Sequence, residues 1–222
     1  MREAGIGRVL VASLHQGIAD ILPTRLGFYE NWLNAQRFRG KTIGLAPLLA
    51  VLSFLRLEGA AYQMITTRAG EYAADWTVDS MPRVERAFIR AMPAWVRGRL
   101  LLRLARRLVR NSYDGSGATV RVRRGTARID VRASIFCTVR ERVPQPLCGF
   151  YAAAFERLLA RFNLQSRAVV LACRGTGETT CVLMVALPGG RPDAEHDVTA
   201  AIDGAPGHPG ADASGAGAWR TE

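Results

Sequence analysis

The sequence predicts an α+β domain in which N-terminal helices are followed by an antiparallel sheet packed on helices. Two observations support this fold class. Apolar residues recur at helical spacing as far as Arg110, and beyond the turn-forming stretch 113–117 the period falls to two. Nearly half of the 222 residues are apolar, which is enough to bury a sizeable core in one domain.

The N-terminal half is predicted as helices with a single strand. Residues 3–22 form an amphipathic pattern that Pro23 ends, and a short aromatic-rich helix follows. Residues 45–57 are apolar on all sides, which predicts a helix buried over most of its surface. The pattern of Tyr62, Met64, Ile65 and Thr66 then indicates a strand within residues 60–67, and a helix is expected over 70–78.

The C-terminal half begins with a long basic helix that ends near Arg110. Two alternating strands follow, around 120–122 and 127–131, with Gly125 between them. We expect a further helix over 147–162 and two strands over 168–173 and 180–187. The domain therefore divides into a helical region at 1–59, a main body at 60–187 and a disordered Gly/Pro/Ala-rich tail at 188–222.

The charge balance is strongly basic, at +11, and Lys41 is the only lysine among 30 basic residues. Such a charge fits either an acidic partner or a solvated arginine face. Nucleic acid is not expected as the partner, because no recognisable reading motif is present. No apolar run reaches the ~18 residues of a membrane span, and no secretory signal is evident, so a cytoplasmic protein is expected.

Four cysteines, the only ones in the chain, lie within 45 residues of one another, at Cys137, Cys148, Cys173 and Cys181. A hairpin turning through Gly175 and Gly177 would bring Cys173 and Cys181 to the same end of two strands. Cys148 opens the next helix, where the helix N-terminus favours a thiolate. In a reducing compartment this set favours a zinc site over disulfides. The fourth ligand is left open between Cys137, water and a carboxylate such as Glu141 or Glu178, and simple burial of the thiols is the alternative.

The segments 146–156 and 173–181 resemble the 4-vinyl-reductase domain family. The likeness lies in PLCGFYAAAFE, where a cysteine opens a helix, and in CRGTGETTC, where two cysteines flank a glycine-centred turn. Bacteriochlorophyll-pathway members of that family show similar features in similar order. The same module resembles the phenol-sensing domains of some bacterial transcription activators, in which comparable cysteines bind zinc. The TRAPP vesicle-tethering subunits are more distantly similar in fold. The likeness extends loosely over residues 60–187 and is specific only from about 134 to 185.

The resemblance implies a domain that binds a small hydrophobic or aromatic molecule, as sensor, carrier or chaperone, with zinc held by the cysteines. The phenol-sensing domains place a zinc-binding glutamate three residues before the first hairpin cysteine, and here that position is Val170. This departure favours Cys137 as the fourth ligand. The resemblance leaves two alternatives open, a tetrapyrrole-pathway protein that acts on or presents a vinyl-bearing pigment, and a homodimeric regulatory module.

Candidate ligand contacts follow from the distribution of aromatic and basic residues. The arginines Arg99 and Arg103 of the basic helix are candidate contacts for an anionic group, with a plain solvated face as the alternative. Catalysis is not supported, because the three histidines lie in the first helix and the tail and because no dinucleotide fingerprint is present. The aromatic side chains that could line a pocket, or could equally be ordinary core, are Tyr62, Tyr72, Trp76, Phe136, Phe150 and Tyr151.

Overall fold

The computed structural model of the chain describes residues 6–33, 45–123, 125–139 and 141–188. These residues form an α+β fold, as predicted. The predicted disordered tail lies outside the described residues, apart from its first position. No helix of the described part is both long enough and apolar enough to cross a lipid bilayer.

Within the described residues, seven helices and four strands follow one another in the order α1–α6, β1, β2, α7, β3, β4. Short 3₁₀ turns occur at Pro23–Arg25, Ile135–Cys137 and Arg174–Thr176. The helices are α1 (Arg8–Ile21), α2 (Leu26–Leu33), α3 (Leu45–Leu57), α4 (Ala60–Asp79), α5 (Arg83–Ala91), α6 (Ala94–Ser112) and α7 (Gly149–Ala160). The strands are β1 (Gly117–Arg123), β2 (Thr126–Arg132), β3 (Ala168–Ala172) and β4 (Cys181–Ala186).

The sheet is antiparallel throughout and has the strand order β1-β2-β4-β3. Strand alternation gives it one apolar face and one polar face. Ile129 of β2 pairs with Val120 of β1 and Leu183 of β4 on the apolar face, whereas Arg128 pairs with Arg121 on the other. The apolar face is covered by α6 and α7.

The strand predicted within residues 60–67 is wrong, because helix α4 covers these residues. The helix predicted over 70–78 is confirmed as the C-terminal part of the same helix. Its buried residues recur at helical spacing, and Met64 of the supposed strand is 55% exposed. The hydroxyl of Thr66 donates a 2.9 Å hydrogen bond to the carbonyl oxygen of Tyr62, which accommodates this β-branched residue inside a helix. Packing on two sides, against α1 and α7, therefore outweighs the local preference for a strand.

Helix α4 sits between α1 and α7, and glycines permit both close approaches. A Cβ added at Gly17 of α1 would come within 2.8 Å of the carbonyl oxygen of Ile65. A Cβ at Gly70 of α4 would overlap the carbonyl oxygen of Phe150 in α7. The α4–α7 pair positions the start of α7, where Cys148 lies.

Helix α3 differs from the prediction in how much of it is buried. Its buried side chains are Leu48, Val51, Leu52 and Leu55, which occupy one face. Phe54 is 38% exposed and Leu57 is 82% exposed. The high apolar density of this segment therefore reflects an exposed aromatic surface as well as core packing.

Candidate metal centre and ligand cavity

The four cysteines converge on one buried point. Their Sγ atoms all lie within 4.8 Å of one another, and the thiols are free of disulfides. Cys137 is central, with Sγ–Sγ distances of 3.1 Å to Cys148, 3.3 Å to Cys173 and 3.4 Å to Cys181. The Cys148–Cys173 distance is 3.8 Å. The four cysteines are close enough together to hold a metal ion, and Cys137 lies among them.

Each sulfur comes from a different local structure. Cys137 ends the 3₁₀ turn after β2, and Cys148 is the residue before α7. Cys173 and Cys181 lie at facing ends of β3 and β4, joined by a turn in which Gly177 adopts a φ of 102°. A positive φ of this size is readily adopted only by glycine, so Gly177 allows the hairpin to close. Four elements that are separate in sequence thus meet at one site.

The backbone donates hydrogen bonds to two of the sulfurs. The Leu147 N–H lies 3.3 Å from Cys173 Sγ, and the Arg174 N–H lies 3.4 Å from Cys181 Sγ. Such donors stabilise a thiolate more than a neutral thiol. The site is therefore prepared for negative charge on the two hairpin cysteines.

Contacts among the sulfurs shift the pKa values of the four thiols in opposite directions, down for two and up for the other two. Hydrogen bonds from Cys137 and Cys148 hold the pKa of Cys173 and of Cys181 below the ordinary value. Cys137, then Cys173 and Cys181, raise the pKa of Cys148, and burial adds to this. Cys148 acts to lower the pKa of Cys137, but Cys173, Cys181 and burial outweigh it and the pKa is raised. Binding of a dication by four thiolates would release the protons that remain.

This donor set fits a tetrahedral soft-metal site. Zinc held by four thiolates at about 2.3 Å requires sulfur–sulfur separations of about 3.8 Å, which the observed distances approach. The four side chains are at most 7% exposed, so no open coordination position faces solvent. A closed four-sulfur site is typical of structural metal centres rather than catalytic ones.

Residues around the cysteines hold the metal-site segments in place. Arg56 of α3 donates hydrogen bonds of 3.0 Å and 3.4 Å to the carbonyl oxygens of Phe136 and Thr138, on either side of Cys137. From α4, Gln63 donates a 3.0 Å hydrogen bond to the carbonyl oxygen of Pro146. These supporting residues were not predicted from the sequence, because nothing local links α3 to residues 80 positions away.

The predicted pocket aromatics separate into two groups. Phe136, Phe150 and Tyr151 form one buried cluster, with the rings of Phe136 and Phe150 stacked at 4.9 Å, and Tyr62 is also buried. Tyr72 and Trp76 stack on each other at 5.5 Å elsewhere on α4, where Tyr72 donates a hydrogen bond to Asp20 and Trp76 is 36% exposed. The structure therefore does not bring all six side chains together.

A cavity of about 260 Å³ lies between α1, α4 and α6. Phe150 of α7, two residues after Cys148 in the sequence, also lines this cavity. Of the predicted aromatics, Phe150 alone lines it. Its walls are mainly apolar, and its polar lining includes Arg8, Arg107 and Asn111. The apolar and small residues around it include Val9, Leu10, Ala73, Leu104 and Leu108. The sequence did not predict this cavity, because the gap depends on how closely the three helices approach one another.

The predicted anion contacts Arg99 and Arg103 lie in a different place. Together with Arg106 they line an open groove of about 330 Å³ between α6 and β1, above Leu102, Val120 and Val122. This groove is separate from the cavity beside Phe150, because the two share no lining residue. An anionic group at Arg99 and Arg103 would therefore not belong to a ligand in that cavity.

No protein-family model matches the chain, and no curated protein matches it. Solved structures do match. The NMR structure of the SO2144 H-NOX domain from Shewanella oneidensis in the Fe(II)CO ligation state aligns with a TM-score of 0.50 at 11% identity, covering 83% of this chain and 99% of that one. The crystal structure of the phenol-responsive sensory domain of the transcription activator PoxR with phenol aligns with a TM-score of 0.45 at 14% identity, covering 70% and 80%. At these identities the likeness concerns the fold alone.

Proposed function

We propose that the chain is a small-molecule-binding domain in which a structural zinc ion, held by the four cysteines, fixes the start of α7. The observation that carries this proposal is the convergence of four buried sulfurs with two backbone N–H donors. Buried thiols that serve only as core residues do not need to cluster in this way. Zinc is the proposed metal because four thiolates in a closed site suit it better than they suit magnesium or calcium.

The ligand class follows from the cavity beside Phe150. A volume of about 260 Å³ with mainly apolar walls suits a molecule about the size of a single substituted ring. Arg8, Arg107 and Asn111 offer donors to one polar or anionic group on that ring. We therefore propose a small aromatic molecule with one oxygen-bearing substituent, bound as by a sensor or a carrier. The fold likeness to an H-NOX domain accords with a ligand-binding role.

Metal content tests the first half of the proposal. Elemental analysis of the purified protein should give one zinc per chain, and Cys173→Ser and Cys181→Ser should each release it. Val182→Thr is the matched control, because it also buries a hydroxyl in β4, one residue from Cys181, without touching the sulfurs. Wild-type protein without metal, or serine variants that keep it, would remove the metal site from the proposal.

Calorimetric titration with benzoate and phenol as probes tests the second half. Thr77→Leu extends a side chain into the cavity and should abolish binding of either probe. Thr67→Leu is the control, because Thr67 is an exposed threonine of the same helix. Equal binding by both variants would show that the probes bind elsewhere.

A tetrapyrrole is the second candidate ligand, proposed from the family resemblance. It would give the purified protein a Soret absorbance band. The fold likeness to the H-NOX domain is the observation that favours this candidate. His15 of α1, the one histidine of the described residues, lies in hydrogen-bond contact with Glu30 of α2, at 2.9 Å. Any pigment would therefore bind without a histidine from the described core.

A further inference from the structure

The arginines of α6 lie on one side of the helix. At about 100° per residue, Trp95, Arg99, Arg103, Arg106 and Arg110 fall within an arc of about 80°. We call these five residues the α6 arginine face. Trp95 is 65% exposed, and the Arg99 guanidinium lies 5.7 Å from the centre of its ring. An exposed aromatic residue thus stands at one end of a row of four positive charges.

No ion pair observed among the described residues neutralises this positive charge. Helix α6 contains no acidic residue. Among the described residues, the ion pairs engage other arginines, such as Arg68 and Arg157, and none engages the four of this face. Unpaired guanidinium groups spaced along about 17 Å of helix match a surface that carries many negative charges better than they match a single small anion.

The neighbouring surface is apolar rather than polar. The groove beside the arginines is floored by Leu102, Val120 and Val122, and Val122 is 41% exposed. Nucleic acid would be expected to meet polar groups and several stacking aromatics at such a place. Arginines beside an exposed tryptophan and the partly exposed Val122 suit instead the headgroup region of an anionic lipid surface, which favours basic side chains and tryptophan.

We infer that the α6 arginine face docks the protein on an anionic membrane surface. In this arrangement the guanidinium groups contact lipid phosphates and Trp95 enters the headgroup region. The first contribution is electrostatic and the second is insertion of an aromatic ring, and stable interfacial binding generally needs both. The inference is independent of the cysteine site and of the cavity beside Phe150.

Vesicle sedimentation tests it with the metal-loaded full chain. The protein should sediment with vesicles of equal parts phosphatidylglycerol and phosphatidylcholine, and not with phosphatidylcholine alone. Arg103→Gln/Arg106→Gln should weaken binding about tenfold or more. The matched control is Arg121→Gln/Arg123→Gln, which removes the same charge from β1 but from the opposite face of the sheet. Circular dichroism confirms that each variant is folded.

The tryptophan is tested in the same way. Trp95→Ala should weaken vesicle binding severalfold, whereas Trp32→Ala, at a tryptophan of α2 that is 43% exposed, should not. Failure to bind anionic vesicles would overturn the inference, and so would equal losses in the two double variants. Binding to duplex DNA as tight as to vesicles, with no effect of Trp95→Ala, would assign the face to nucleic acid instead.

Discussion

Arg56 Nη2 donates a 3.0 Å hydrogen bond to the carbonyl oxygen of Phe136, the residue before the central cysteine of the metal site. A second hydrogen bond, of 3.4 Å, reaches the carbonyl oxygen of Thr138 on the other side of Cys137. The guanidinium thereby links α3 to a turn that is 80 residues away in sequence. It also places a positive charge beside the turn that carries Cys137.

We predict that Arg56→Met lowers metal affinity by about tenfold to a hundredfold, because outer residues that orient metal ligands typically contribute that much. Competition with a chromophoric chelator measures this affinity. Arg25→Met is the control, because Arg25 pairs with Glu58 nearby but does not contact the turn. Equal affinities in the two variants would mean that Cys137 is held without help from α3.

The cysteines should contribute strongly to stability. Cys173→Ser or Cys181→Ser should lower the free energy of unfolding by several kcal/mol, because loss of a structural metal removes binding energy that is coupled to folding. Urea denaturation with and without a chelator measures the effect. In the variants the chelator should have little further effect, whereas in the wild-type protein it should lower the transition midpoint. A chelator effect of the same size in all proteins would contradict the assignment.

Gly70 should not tolerate a side chain. Gly70→Ala would push α4 away from the backbone of α7 and should lower stability by about 1–3 kcal/mol, the usual range for overpacking. Gly27→Ala in α2 is the control, because no atom lies within 4 Å of the added Cβ. It should leave stability unchanged or raise it by about 0.5–1 kcal/mol. Thermal unfolding compares the two, and similar behaviour would argue against close α4–α7 packing.

An ion-pair network between α4 and α7 makes stability depend on pH. Burial acts to raise the pKa of Asp75, but hydrogen bonds from Arg157 and Arg161 outweigh it and hold the pKa below its usual range. A folded-state pKa below the unfolded value stabilises the protein at neutral pH, and this contribution disappears as pH falls through the folded-state pKa. Asp75→Asn should therefore be less stable than wild type at pH 7, with the difference shrinking under acid conditions. A difference that stays constant between pH 7 and acid conditions would contradict the network's role.

The sequence predicted those helices and strands whose spacing of apolar residues matches the side chains that are buried in the structure. The hairpin cysteines were predictable because alternating strands and a glycine turn fix their relative position. The strand proposed around Tyr62 was wrong, because α4 is buried on two sides and only tertiary packing reveals its helical period. The cavity beside Phe150 could not be predicted, since it depends on the separation of α1, α4 and α6. The helical spacing of Tyr72 and Trp76 is the same whether the two side chains line a pocket or lie on the outside of the molecule, so the spacing could not separate the two cases.

The distribution of the cysteines along the chain also affects which elements unfold locally together. The sulfur contacts bridge separations of 11, 25, 36 and 44 residues, and together they enclose α7, β3 and the start of β4. A metal ion held by the four sulfurs would tie these elements into a single cooperative unit, because separating them would break a metal–sulfur bond. Their amide hydrogens should exchange with solvent through one shared opening event. Helix α2, which supplies no sulfur, should exchange earlier.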